Sequence, residues 1–160
     1  MKSKLVLPLL ALSTCVLPGL TCPSDCGETQ PNPAVDRIDF TLVSGGGTMG
    51  DVRIDGIVEN KGGGTFDSSA GQQSVQLYEG FGINFTLVAT QDFEDLAPGE
   101  TVTVSFLKTN WSTADEFPPN YRVIIVYDPD IFIDGNVNND DCATSDNTLE
   151  RSGSEINSLF

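Results

Sequence analysis

Apolar and polar residues alternate with a period of two along most of the chain after residue 34. Within residues 35–43, Ile38, Phe40 and Leu42 are separated by polar residues, as expected of a strand that buries one face. We find no convincing stretch with the period of 3.6 residues that indicates an amphipathic helix. The pattern therefore predicts an all-β protein.

Segments rich in glycine and proline divide this pattern into short strands. The predicted strands are residues 35–43, 51–60, 73–80, 83–91, 101–107 and 121–128, with a short seventh strand near 148–151. A tight glycine turn joins the third and fourth strands into a hairpin. The sixth strand, YRVIIVYD, is almost continuously apolar, which indicates a central strand. About seven such strands predict an antiparallel, immunoglobulin-like β-sandwich.

The first residues of the chain differ in character from the rest. Lys2 and Lys4 precede an apolar run that ends at Leu17. This order predicts a secretory signal peptide over residues 1–21, because the run is too short to span a membrane as a helix. The tetrapeptide LSTC, which ends at Cys15, resembles a lipobox, so cleavage before a lipidated Cys15 is an alternative. Both readings predict a secreted or cell-surface protein.

The remaining residues suit one domain, because about 130 residues bury one sizeable core. Residues 22–34 are rich in proline and polar residues, which predicts an extended tether. We expect the β-sandwich to occupy residues 35–151 and a C-terminal tail to occupy residues 152–160.

The chain is strongly acidic, with 23 aspartates and glutamates against 8 lysines and arginines and a formal net charge of −15. This charge disfavours nucleic acid and anionic membrane surfaces as partners. We therefore expect no contact with nucleic acid, and contact with a membrane only through a lipid anchor.

The chain contains no histidine. Its absence excludes Ser-His-Asp and Cys-His nucleophile systems and removes the commonest transition-metal ligand. The glycine-rich segments do not lead from a strand into a helix, as a phosphate-binding loop requires. We therefore expect no catalytic residues and no enzymatic activity.

The segment DPDIFIDGNVNNDDC, residues 128–142, concentrates aspartates and asparagines after an apolar strand. Part of it has the D-x-N-x-D rhythm of calcium-binding loops, but Gly135 and Ser145 do not match the EF-hand pattern. A looser calcium site and a solvated polar loop both remain open. The candidate calcium ligands are Asp128, Asp130, Asp134, Asn136, Asn138 and Asp140.

Cysteines near both ends of the predicted sandwich suggest a disulfide. The start of the first strand and the loop before the last strand lie at the same end of an immunoglobulin-like sandwich. We therefore expect Cys142 to pair with Cys26, with Cys22 as the alternative partner, in an exported protein. A local bridge between Cys22 and Cys26, which leaves Cys142 free, is the rival.

Ile124 and Val126 lie on the face of the sixth strand opposite Val123 and Ile125, so both faces are apolar there. The segment 108–120 is one candidate to cover the outer face. Another copy of the chain is the other candidate.

Tyr121 begins the sixth strand directly after Pro118, Pro119 and Asn120. This placement suits a tyrosine corner, in which the hydroxyl hydrogen-bonds to nearby backbone. An ordinary aromatic residue at a strand start is the alternative.

Four segments occur in a recognisable order: IDGIVENKGGG, VQLYEGFG, LAPGETVTVSF and YRVIIVYDPD, followed by the acidic segment and a last strand. This series resembles the bacterial cell-adhesion-related domain, CARDB, over residues 35–151. The resemblance implies a seven-stranded immunoglobulin-like sandwich with an extracellular, non-catalytic role in adhesion or as a spacer. It supplies no catalytic residues.

Two functional hypotheses follow. The first is a non-catalytic extracellular module for adhesion or structural protein–protein interaction at the bacterial surface, whose partner is a surface protein, a glycan or another copy of itself. The alternative is a calcium-dependent carbohydrate-binding module, in which Trp111, Tyr78 or Phe81 stacks on sugar rings.

Overall fold

The computed structural model describes residues 26–160, so the predicted signal peptide, Cys15 and Cys22 lie outside the described residues. Seven strands follow one another: β1 Pro33–Gly46, β2 Met49–Asn60, β3 Gln73–Phe81, β4 Asn84–Asp92, β5 Thr101–Ser112, β6 Asn120–Tyr127 and β7 Thr148–Ser152. Three short 3-10 helices cover Pro129–Phe132, Thr144–Asp146 and Gly153–Leu159. The prediction of an all-β protein with about seven strands is confirmed.

The strands form two sheets, with the orders β1-β2-β5 and β4-β3-β6-β7. Neighbouring strands are antiparallel throughout. The chain changes sheet between β2 and β3, between β4 and β5, and between β5 and β6. These changes of sheet produce the immunoglobulin-like sandwich that the strand count predicts.

The core lies between the two sheets and follows the period-two pattern. In β6, Val123 and Ile125 are buried, and Val126, which points the other way, is 38% exposed. A side chain at Gly56 of β2 would overlap a methyl group of Val123. The two sheets therefore approach closely at Gly56, where only a glycine fits.

The outer face of β6 is not covered by the aromatic residues of segment 108–120. Trp111 is the penultimate residue of β5 and packs against Gly153 at the C-terminal helix, and Phe117 is 74% exposed. Val126 consequently stays exposed on that face. Whether another copy of the chain covers it stays a prediction.

The sandwich has two ends, which we call the clamped pole and the open pole. The clamped pole contains the start of β1, the end of β6 and the disulfide between Cys26 and Cys142. The open pole contains the β1–β2 turn, the β3–β4 turn and the β5–β6 loop, residues 113–119. β2 alone has 12 residues, so the two poles lie about 40 Å apart at roughly 3.3 Å per residue.

Residues 26–32, predicted as part of an extended tether, pack onto the sandwich instead. The backbone N–H of Lys61 donates to the carbonyl of Asn32 at 2.8 Å, and that of Gly64 donates to Gln30 at 3.2 Å. A Cβ at Gly63 would overlap the carbonyl oxygen of Glu28. The run of glycines lets the two backbones approach closely, and this is why these residues do not form a free tether.

Replacing Gly63 by alanine is expected to lower the free energy of unfolding by about 1–3 kcal/mol, because the backbone of Glu28 has to move. Urea unfolding measures the change. Gly46→Ala is the matched control, since a Cβ there meets nothing within 4 Å. Equal effects of the two substitutions would show that residues 26–32 do not pack on the glycine loop.

Residues 152–160, expected to form a tail, are part of the folded domain. The helix Gly153–Leu159 buries Ile156 completely. The indole N–H of Trp111 donates to Oδ1 of Asn157 at 2.9 Å. A single inward apolar residue in a short 3-10 helix gives no periodic signal, which explains why the sequence pattern does not show this contact.

Candidate functional site

The acidic loop satisfies its own carboxylates with hydrogen bonds. Oδ1 of Asp134 accepts from the backbone N–H of Asn136 at 2.7 Å, and Oδ2 accepts from Nδ2 of Asn139 at 2.8 Å. These bonds hold the pKa of Asp134 below its usual value, and the bond from Asn136 has the largest effect. Both carboxylate oxygens of Asp134 are therefore engaged without a metal ion.

Two of the other candidate calcium ligands, Asp128 and Asn136, have similar local partners. Oδ1 of Asp128 accepts from the N–H of Asp130 at 3.0 Å, which caps the helix Pro129–Phe132. Oδ1 of Asn136 accepts from the N–H of Asn138 at 3.1 Å, and Asp140 is half-buried. Within residues 26–160, no group of three or more histidine, cysteine, aspartate or glutamate side chains is placed to hold a metal ion. Calcium binding by this loop stays a prediction.

A disulfide links Cys26 to Cys142, with the two Cα atoms 5.4 Å apart. The preferred pairing is confirmed. The backbone N–H of Cys142 also donates to the carbonyl of Pro31 at 3.3 Å, so a hydrogen bond next to the bridge joins the two segments as well. A structural disulfide is compatible with an oxidising, extracellular location. None of the helices in residues 26–160 is long and apolar enough to cross a membrane.

A buried polar cluster lies beside the disulfide and centres on Asp141. Oδ2 of Asp141 accepts from the hydroxyl of Tyr127 at 3.1 Å and from Nδ2 of Asn147 at 2.6 Å, and Oδ1 accepts from the N–H of Ala143 at 3.0 Å. Burial raises the pKa of Asp141 despite these three bonds. Burial, with Asp141 alongside, also raises the pKa of Tyr127.

A cleft with a volume of about 470 Å³ opens at the open pole, between the ends of the two sheets. It is lined by Glu79, Gly80, Phe81, Asn84, Thr86, Val88, Lys108, Asn110, Trp111, Asp115, Phe117 and Pro119. These residues come from β3, β4, β5 and the β5–β6 loop. The cleft combines polar and aromatic side chains, as ligand sites do.

Glu79 and Lys108 line the cleft, and Glu79 also bonds to Tyr121, which is completely buried beneath it. The hydroxyl of Tyr121 donates to Oε1 of Glu79 at 2.9 Å, and Nζ of Lys108 lies 2.8 Å from the same oxygen. Burial, followed by the charge of Glu79, raises the pKa of Tyr121. The expectation of a tyrosine corner is wrong, because the hydroxyl bonds to a carboxylate and not to backbone.

The rim of the cleft is apolar and exposed. Phe81 is 55% exposed and Phe117 is 74% exposed. Ile83, at the tip of the β3–β4 hairpin beside Gly82 with φ 57°, is 94% exposed. Large exposed apolar side chains grouped around a cleft are a common feature of interaction surfaces. We call Phe81, Ile83 and Phe117 the apolar rim.

Of the three aromatic residues expected to stack on sugars, Phe81 and Trp111 line the cleft and Tyr78 does not. Only Phe81 is exposed at the cleft. Trp111 is 3% exposed, with its edge bonded to Asn157. Tyr78 directly follows Leu77, which points into the core. Successive side chains of a strand point to opposite faces, so the ring of Tyr78 lies on the outer face of the four-stranded sheet.

Comparison with known proteins identifies no family. No family model matches the chain, and no curated protein is significantly similar to it. One solved structure with a similar region is described as a beta-glucosidase involved in saponin metabolism from intestinal bacteria, at 18% sequence identity and a TM-score of 0.31. The match covers 78% of this chain but only 16% of that protein.

Proposed function

We propose that the protein is a non-catalytic, extracellular β-sandwich module of the bacterial surface that serves adhesion or structural protein–protein interaction. The observation that carries this proposal is the cleft with its exposed apolar rim at the open pole. Interfaces of stable complexes centre on large apolar side chains in such pockets.

The position of the cleft relative to the N-terminal segment supports this role. Cys26 closely follows the predicted leader and is bonded at the clamped pole. An anchor at that end would direct the cleft away from the cell. The module would then present Phe81 and Phe117 to partners outside.

The polar floor of the cleft is fixed by its internal bonds. Glu79 is bound by both Tyr121 and Lys108, so its orientation is set before a partner arrives. Preorganised polar groups give specificity at little entropic cost. The net charge of −15 favours a partner segment that combines apolar side chains with basic ones.

A calcium-dependent carbohydrate-binding module is the second candidate. The exposed ring of Phe81, next to Asn84 in the cleft lining, favours it, because sugar sites combine an aromatic surface with planar polar groups. Trp111 lines the cleft but is buried, and Tyr78 faces outward, so neither offers an exposed ring for stacking. The protein-binding role therefore stands first.

The double variant Ile83→Asn/Phe117→Ser is expected to bind isolated bacterial cell envelopes at least tenfold more weakly than the unmodified protein. Removing two rim anchors of about 1 kcal/mol or more each accounts for this loss. Fluorescently labelled protein and a titration of envelopes measure it.

The matched control is Ile133→Asn/Val137→Ser, which removes two residues that are 80% and 70% exposed in the loop at the clamped pole. This control should bind normally. Equal binding by both double variants would contradict the proposal. Loss of binding on addition of free sugars, with a positive glycan array in calcium, would favour the carbohydrate alternative.

A further inference from the structure

Several buried side-chain oxygens at the clamped pole have no hydrogen-bond donor. They include Oδ1 of Asn32, Oδ1 of Asp146 and Oδ1 of Asn147. Asn32 is 2% exposed and Asn147 is 7% exposed. A buried acceptor without a partner is costly, and all three atoms are acceptors, so the group that they lack is electropositive.

The amide groups connect these oxygens to two carboxylates. Nδ2 of Asn32 donates to Oδ2 of Asp146 at 3.1 Å, and Nδ2 of Asn147 donates to Oδ2 of Asp141 at 2.6 Å. Each amide thus uses its N–H on a carboxylate and keeps its carbonyl oxygen unpaired. Asn147 directly follows Asp146, which brings both carboxylates into one cluster.

The cluster carries two negative charges that no basic side chain balances. None of the ion pairs within residues 26–160 includes Asp141 or Asp146. Two like charges held close together repel each other, and a bound cation offsets that repulsion.

The two segments that carry the oxygens are joined covalently. Asn32 lies six residues after Cys26, and Asp146 lies four residues after Cys142. The disulfide and the bond from Cys142 to Pro31 hold these segments side by side. The oxygens are therefore positioned before any ligand binds, which lowers the entropic cost of binding.

We propose that Asp146, Asn32 and Asn147, supported by the charge of Asp141, bind a calcium ion at the clamped pole. Carboxylate and amide oxygens are the ligands that calcium prefers, and water completes its coordination. A divalent ion matches the two carboxylates in charge. This site is separate from the outer loop, in which Asp128 and Asp134 make their own hydrogen bonds. It does not depend on the proposed function of the cleft.

The test is thermal unfolding of the exported protein with its disulfide intact, in excess chelator and then in calcium. Calcium at about one hundred times its dissociation constant should raise the Tm by roughly 5–10 °C. Isothermal titration with calcium chloride alone should show binding at one site. Asp146→Asn, which removes one charge and keeps the shape, should abolish both effects.

Asp134→Asn in the outer loop is the matched control and should keep the full calcium response. Comparing calcium with chelator within each variant separates binding from any change in basal stability. The absence of a shift and of binding heat in the unmodified protein would overturn the proposal and leave buried water as the donor. A response that survives Asp146→Asn, or that Asp134→Asn removes, would overturn it as well.

Discussion

Replacing both Cys26 and Cys142 by serine is expected to lower the free energy of unfolding by about 4 kcal/mol and the Tm by roughly 10–20 °C. The two cysteines are 116 residues apart, so the bridge removes much of the entropy of the unfolded chain. The bridge also fixes the segment that carries buried Asn32. Urea and thermal unfolding of the double variant measure both quantities.

Cys22→Ser is the control for this prediction. It leaves the bridge between Cys26 and Cys142 intact and should not change stability. Peptide mapping under non-reducing conditions should recover the Cys26–Cys142 link. Recovery of only a Cys22–Cys26 link, or an unchanged Tm after complete reduction, would contradict the account of the clamped pole.

Replacing Ile156 by alanine is expected to lower the free energy of unfolding by about 2–4 kcal/mol, because the side chain is completely buried and its removal leaves a cavity. The helix Gly153–Leu159 covers Trp111. The chain has a single tryptophan, so its fluorescence reports this contact directly. The variant should show a red-shifted emission if the helix detaches before global unfolding.

Leu159→Ala in the same helix is the matched control. Leu159 is 38% exposed, and its truncation should cost less than about 1 kcal/mol. Similar small effects of both substitutions, with unchanged tryptophan emission, would mean that the helix contributes little to the fold.

The strands were predictable because burial of one face imposes a period of two. The residues at which the strands end were not predictable in this way. β5 was expected over residues 101–107 but continues to Ser112. Lys108 and Asn110 break the apolar alternation, yet backbone pairing with β2 continues past them to Ser112. The backbone hydrogen bonds between strands do not depend on side-chain polarity. A prediction from hydropathy therefore places the end of β5 too early.

The acidic loop shows why a ligand-like spacing is ambiguous. Aspartates and asparagines two residues apart suit a calcium loop, but the same spacing lets a side chain accept from the backbone N–H two residues on. Asp134 bonds to Asn136, and Asp128 bonds to Asp130, in this way. The sequence pattern alone does not separate these two uses of a carboxylate.

The cleft was not predictable from the sequence for a different reason. Glu79, Lys108 and Tyr121 come from β3, β5 and β6 and meet only because two sheets stack in one register. Strand periodicity gives the inward direction of each side chain but not its partner in the other sheet. Only the exposed Phe117, outside any strand, gives a local signal of an interaction surface.

Site-specific photo-cross-linking tests the central claim, recognition through the open pole, most directly. A benzophenone side chain is placed at position 117 in one sample and at position 132, near the clamped pole, in another, and both proteins are irradiated on the bacterial surface. The account predicts a defined adduct with one surface protein from position 117 and none from position 132. Adducts from position 132 alone, or the same adducts from both positions, would contradict it.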